Sequence, residues 1–203
     1  MISHQHKCIF IHIPRTGGTS VEQLIFGGNW WAYEKETKHL LASQAKKLYA
    51  DYWDDYFKFA FVRNPFDRVV SLLNFSSMYY GTSISDRLTQ EHIEWYKKKY
   101  GYPKVVEYDY RFYKRSEVIC ENHAAGQVYG NIIDEELDFI GKFESLEDDF
   151  RKVCDFLKIN YKTLPHKAQS KHREHYRSYF DEGLVDTVEK LYANDLKKFN
   201  YSF

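Results

Sequence analysis

Two segments of this chain follow one plan, and that plan constrains the fold more than any other feature. KCIFIHIPRTGGTSVEQLIF (7–26) and FKFAFVRNPFDRVVSLLNF (57–75) each carry a short apolar run into a proline and arginine break, then into apolar residues at helical spacing. Strand, loop and helix twice over argues for a parallel α/β sheet with ligands held at the carboxyl ends of its strands. The first helix reads over SVEQLIF and stops at Gly27 and Gly28. The second has Pro65 in its first turn, where a missing N–H costs nothing. LDFIGKF (137–143) is the third strand, and the SLEDDF that follows offers Ser145 and Asp148 as a capping box. Beyond it Leu146, Phe150, Val153, Cys154 and Leu157 recur on one helical face, which is core packing. A last amphipathic helix is expected from about Leu184 to Phe199, laid across the sheet, while 76–126 shows no clear period. No internal repeat or low-complexity linker interrupts the 203 residues. The expectation is one domain, 1–203, of α/β class with a central parallel sheet flanked by helices.

Composition removes several classes of function. Hydrophobic residues at 43% and aromatics at 18% exclude a disordered chain and put ring packing at the centre of the core. The 29 basic residues are balanced by 29 acidic ones, so a nucleic-acid coat is disfavoured and any anion site must be local. Cys8, Cys120 and Cys154 form neither a CxxC pair nor an even disulfide framework; reduced, partly buried thiols point to a cytoplasmic setting. The first residues, MISHQHKCIFIHIP, are too short an apolar run for a membrane span and lack a cleavage pattern, so a soluble protein is expected.

PRTGGTS (14–20) has the chemistry of an anion loop. Its paired glycines let backbone N–H groups turn towards an anion. Thr19 and Ser20 sit at a helix start, and Arg15 adds a full charge. An ordinary strand-to-helix turn with Thr and Ser as caps is the other reading. The Gly-x4-Gly-Lys signature of a triphosphate loop is missing, because no lysine precedes Thr19. In the second loop Arg63 leaves a strand end and Ser71 lies two turns into the following helix, both placed to reach a phosphate between the loops. Arg68 shares a face with Ser71; an ion pair with a carboxylate is its alternative role.

IHIPRTGGTS, FKFAFVRNPFDRVVSLLNF, DFIGKFESLEDDF and the tail LPHKAQSKHREHY…LYANDLKKFNY together resemble the carbohydrate-type sulfotransferase family. The resemblance is ordered and covers the first and last thirds of the chain. It implies a P-loop-NTPase-like sulfotransferase fold and transfer of a sulfuryl group from 3′-phosphoadenosine 5′-phosphosulfate (PAPS), with no metal expected. By the same resemblance Arg15, Thr16, Gly17, Gly18, Thr19 and Ser20 would hold the 5′-phosphosulfate. Arg63 and Ser71 would bind the 3′-phosphate, and SKHR nominates Ser170, Lys171 and Arg173 to close over the nucleotide. Arg15 departs from the family's usual lysine: it keeps the charge and adds a planar fork, but cannot donate a proton to a leaving group.

Sulfuryl transfer needs positioning, charge stabilisation and a base for the acceptor hydroxyl, a role suited to histidine. Of nine histidines, His39 precedes the Arg63 strand at about the family's spacing for its catalytic histidine, and an exposed helix-start residue is the alternative. His12, inside the first strand, reads as structural; His4 and His6 read as terminal and exposed. His92, His123, His166, His172 and His175 have no distinguishing partner. EWYKKKYGYPKVVEYDYRFYKR (94–115) interleaves tyrosines with basic residues, which suits an acidic saccharide acceptor, single-stranded nucleic acid, or a surface helix or hairpin completing a small core. Neutral net charge favours the saccharide over nucleic acid. Two other functions stay open: a PAP-binding module without catalysis, and a small-molecule or nucleotide kinase.

Overall fold

The computed structural model describes residues 1–28, 30, 37–80, 108–109, 114–115, 128–165 and 174–203, with side chains described outside 73–80, 108–109 and 114–115. In chain order, Ile2–Ser3 (β1) and Cys8–Ile11 (β2) lead into the helix Gly18–Ile25 (α1). The short helices Ala42–Leu48 (α2) and Ala50–Trp53 (α3) precede Phe57–Val62 (β3) and Pro65–Tyr80 (α4). Tyr108–Asp109 (β4) pairs antiparallel with Lys114–Arg115 (β5) inside the tyrosine-rich stretch, the rest of which lies outside the described residues. Tyr129–Ile132 (α5), Phe139–Lys142 (β6), Leu146–Leu157 (α6), Glu182–Leu191 (α7) and Ala193–Phe199 (α8) follow, with 3-10 turns at Phe143–Ser145 and Tyr176–Tyr179.

The main sheet has the order β1-β2-β3-β6. β2, β3 and β6 are parallel, with Phe10 opposite Phe59 and Ala60 opposite Ile140. The two-residue β1 adds an antiparallel edge that the sequence pattern did not announce. β2 and β3 read as unbroken apolar runs because both faces are covered. Their alternate residues part cleanly. Cys8, Phe10, Phe59 and Phe61 join Val21, Ile25, Phe150 and Val153 under α1 and α6. Ile9, Ile11, Ala60 and Val62 join Leu41, Ala45, Leu48, Trp53, Tyr129 and Ile132 on the opposite face. The expected face of α6 is as read: Phe150, Val153 and Cys154 are buried, with Leu146 and Leu157 packed against them.

Three expectations need correction. The capping box at Ser145 does not form: its hydroxyl donates to the Asp149 carboxylate at 2.8 Å. The same carboxylate oxygen accepts from the Lys142 N–H at 2.8 Å, tying the strand end to the helix in place of a local cap. The first helix begins at Gly18, two residues before SVEQLIF. The last helix is two helices broken at Tyr192, whose ring fills a cluster with Phe66, Val70, Leu184 and Val188. It therefore packs on α4 rather than simply spanning the sheet. Past the break Asp195 is buried and accepts from the Tyr129 and Gly130 N–H groups at 2.6 and 3.2 Å. Periodicity registers the apolar spacing of such a segment, but not the tertiary partners on either side of the bend.

Candidate active site

β2 and β3 are hydrogen-bonded neighbours, so the loops leaving their carboxyl ends start side by side. The first loop takes its shape from where its carbonyls are sent. Thr16 Oγ1 donates to the Ile13 carbonyl at 2.9 Å, Arg68 Nε to Pro14 at 3.2 Å, and Arg63 Nη1 to Arg15 at 3.1 Å. Ser20 N–H donates to the Gly17 carbonyl at 3.0 Å. Between these anchors the backbone turns left-handed at Arg15 (φ 68°) and at Gly17 (φ 83°). That conformation suits Gly17 and costs roughly 1–3 kcal/mol at an arginine, so the carbonyl anchors hold a strained turn in place. The carbonyls of Ile13, Pro14, Arg15 and Gly17 are thus all engaged within the protein where the loop enters α1.

The second loop and its helix supply two of those anchors, Arg63 and Arg68, and meet the first loop again. Arg15 Nε donates to Ser71 Oγ at 3.0 Å, with Ser71 buried. Arg63 also grips Asp67 Oδ2 through Nε at 2.7 Å and Nη2 at 2.6 Å, and its guanidinium lies 4.0 Å from the centre of the Phe143 ring. Fully buried Arg68 stacks 4.8 Å from the Tyr129 ring centre, so it pins the first loop from below. Tyr129 in turn brackets Arg63: its hydroxyl accepts from the Arg63 N–H at 2.9 Å and donates to the Arg63 carbonyl at 2.6 Å. The nominated hydroxyls divide. Those of Thr16 and Ser20 donate to protein carbonyls, Ser20 to Pro165 at 2.6 Å, whereas Thr19, the second residue of α1, is half-buried. Ser170, Lys171 and Arg173 lie outside the described residues.

A second group of polar side chains sits behind the loop. His12 continues the aromatic face of β2: its ring stacks on Phe10 with centroids 5.5 Å apart and is buried. Gly18 makes room for it, since a Cβ there would fall 2.9 Å from His12 Cγ and closer still to Cδ2 and Nε2. His12 Nδ1 meets the carboxylate of Glu22, which is completely buried. Lys38 Nζ, also buried, pairs with Glu22 Oε2 at 2.9 Å, and the Trp30 N–H donates to the same oxygen at 3.1 Å. Burial lowers the pKa of His12, against the Glu22 carboxylate, which raises it. Burial alone would raise that of Glu22, but His12 and Lys38 outweigh it and hold the carboxyl at about 2. Sequence reasoning missed Glu22 and Lys38. A signal for Glu22 was present: Gly18, Val21, Glu22 and Ile25 fall at i, i+3, i+4 and i+7, which puts a carboxylate on the apolar face of α1.

His39 stands at the edge of this group, half-buried, with its ring edge-on to His12 at 4.6 Å. Its Nδ1 lies 2.9 Å from the His12 carbonyl. A carbonyl only accepts, so Nδ1 carries the proton, and in a neutral ring the lone pair would then lie on Nε2. The acceptor of this bond is two residues from Pro14, so the imidazole and the first loop are both set just past the end of β2. Among the described residues no group of three or more His, Cys, Asp or Glu side chains is arranged to hold a metal ion. No helix among them is long and apolar enough to cross a membrane.

Comparison with curated proteins and with solved structures gives no match. A sequence model of the Sulfotransferase family does match, over residues 1–202, which takes in both loops, the buried group behind them and the C-terminal helices. The chain belongs to the Sulfotransferase family.

Proposed function

We propose that this protein transfers the sulfuryl group of PAPS to an acceptor hydroxyl, with a saccharide as acceptor and His39 as the base. The observation that carries the reading is the His39 hydrogen bond to the His12 carbonyl, which leaves Nε2 able to take a proton beside an anion loop formed by the same strand. Arg15 and the first-turn amides of α1 receive the phosphosulfate. Arg63 and Ser71 take the 3′-phosphate, and the 3.0 Å bond from Arg15 to Ser71 ties these two anion subsites together. The acceptor oxygen attacks sulfur as its proton passes to His39 Nε2. The bond from sulfur to the bridging oxygen breaks, and PAP leaves with that oxygen's negative charge, stabilised by Arg15. Such a loop arrangement fits the P-loop-like architecture that the resemblance implies. The buried free thiols of Cys8 and Cys154 support a cytoplasmic place of action.

A thermal-shift comparison of PAP, PAPS and Mg-ATP tests the donor. PAP at ~100 times its dissociation constant should add about 2.7 kcal/mol of stability. A shift with Mg-ATP and none with PAP would sink the proposal in favour of a kinase. With an acceptor found by screening saccharides, His39→Ala should abolish transfer and leave PAP binding near that of the parent protein. Undiminished turnover would remove His39 from the mechanism. PAP binding without sulfation of any saccharide would leave a binding module.

A further inference from the structure

The buried ion pair behind the loop is costly to build, and its position indicates its use. Removing both charges from water costs several kcal/mol per ion, and such a pair is often matched in stability by apolar residues of the same volume. What it fixes is geometry. Glu22, on the inward face of α1, gathers three points of the chain: the His12 ring from β2, the Trp30 N–H at 3.1 Å and Lys38 Nζ at 2.9 Å. Trp30 Nε1 also donates to Thr37 Oγ1 at 2.9 Å, so residues 30 and 37 are joined just before the ion-paired lysine. His39 is the next residue. Its ring is then constrained twice, through its backbone by Lys38 and through its Nδ1–H and its edge-on ring contact by His12. Both constraints lead back to one carboxylate.

We propose that Glu22 and Lys38 are positioning residues, a buried ion pair that holds the His39 imidazole on the His12 carbonyl and so fixes its Nδ1–H tautomer. Neither side chain touches the reacting atoms. Only the kinetic consequence rests on the proposed role of His39; the structural consequence stands apart from it. The ion pair acts on orientation, so its loss should spare nucleotide affinity, which belongs to Arg15, Arg63 and Ser71.

The test uses protein labelled with ¹⁵N-histidine and NMR of the imidazole nitrogens, with PAP as the binding probe. Wild-type His39 should show a single neutral tautomer protonated at Nδ1. Glu22→Gln alone would strand the Lys38 charge, so the main variant is Glu22→Gln/Lys38→Met, which removes both charges and keeps an acceptor for the Trp30 N–H. Lys38→Met alone is the second variant, because Glu22 can then take up a proton and fold without a buried charge. In the folded variants His39 should become a mixture of tautomers while the PAP dissociation constant stays within about twofold. With an acceptor in hand, kcat should fall tenfold or more at unchanged donor KM. An unmixed Nδ1–H tautomer in either folded variant, or a collapse of PAP affinity alongside kcat, would overturn the inference. A mixed tautomer with undiminished kcat would instead leave the positioning intact and refute His39 as the base.

Discussion

Gly18→Ala should destabilise the protein, although the same change at most helical positions does the reverse. Alanine is the better helix former by about 1 kcal/mol, and α1 begins at this residue. Against that gain stands the His12 ring, with Cγ only 2.9 Å from the position a Cβ would take and two further ring atoms nearer. Carbon atoms rest at about 3.5–4.0 Å, so the ring or the helix must retreat by more than about 1 Å. The ring has no open side: it stacks on Phe10 at 5.5 Å, meets Glu22 through Nδ1 and supports His39 at 4.6 Å. Overpacking of this kind costs about 1–3 kcal/mol, which outweighs the helical gain. For a chain of this length, 203 residues, a cost in the upper part of that range leaves a net loss of up to about 2 kcal/mol, which lowers Tm by up to roughly 8 °C. Urea denaturation and differential scanning calorimetry of Gly18→Ala, His12→Ala and the double variant provide the measurement. The two changes should couple favourably, because a truncated His12 removes the collision and the added methyl fills part of the cavity. A Gly18→Ala protein as stable as the parent, or strictly additive losses in the double variant, would refute the reasoning.

Asp195→Ala should cost about 1–3 kcal/mol, since it orphans the Tyr129 and Gly130 N–H groups. Asp195→Asn, which keeps an acceptor, should cost far less; denaturation midpoints of the pair decide the point. Stability should fall in acid, starting early. The His12 pKa is lowered by burial, so the unfolded chain takes up a proton first below about 6.5. Glu22, held at about 2 against 4.5 unfolded, contributes stability present above pH 4.5 and lost as pH falls towards 2. Asp195, with a pKa raised by burial, offsets part of this. Urea titrations from pH 8 to 3 should therefore show a steeper acid loss for the parent than for Glu22→Gln/Lys38→Met, and parallel curves would contradict the assignment. Arg15→Lys and Ser71→Ala should each weaken PAP binding, with a coupling of about 1 kcal/mol between them in a double-mutant cycle read by calorimetry. A coupling of zero would show that their contact carries no part of binding.

Sequence alone carried the sheet because β2 and β3 are covered on both faces, and unbroken apolar runs such as FKFAFV leave few other homes for themselves. The loops were legible too, since proline, paired glycines and arginine follow strand ends directly. What escaped was every feature decided by a partner distant along the chain. Ser145 abandons its cap for a carboxylate that also serves Lys142, and the last helix breaks so that Asp195 can reach Tyr129. Glu22 was visible as a misfit on an apolar face, but nothing local said that Lys38 and His12 would answer it.

The arginine that stands where the resemblance leads one to expect lysine has a structural reason in the bond it makes. A lysine carries its donors on one ammonium at the tip, so holding Ser71 and holding an anion would compete for a single group. Arginine separates the tasks along its side chain. Nε–H, set back from the tip, takes Ser71 at 3.0 Å and joins the two loops, while the Nη atoms sit at the far end of the fork. The left-handed backbone at Arg15, pinned by Arg63 on its carbonyl, aims the side chain across at α4 rather than along the loop. Arg63, Ser71 and Arg15 therefore form one interlocked unit, and a change from arginine to lysine would keep the charge of the first loop but loosen its tie to the second.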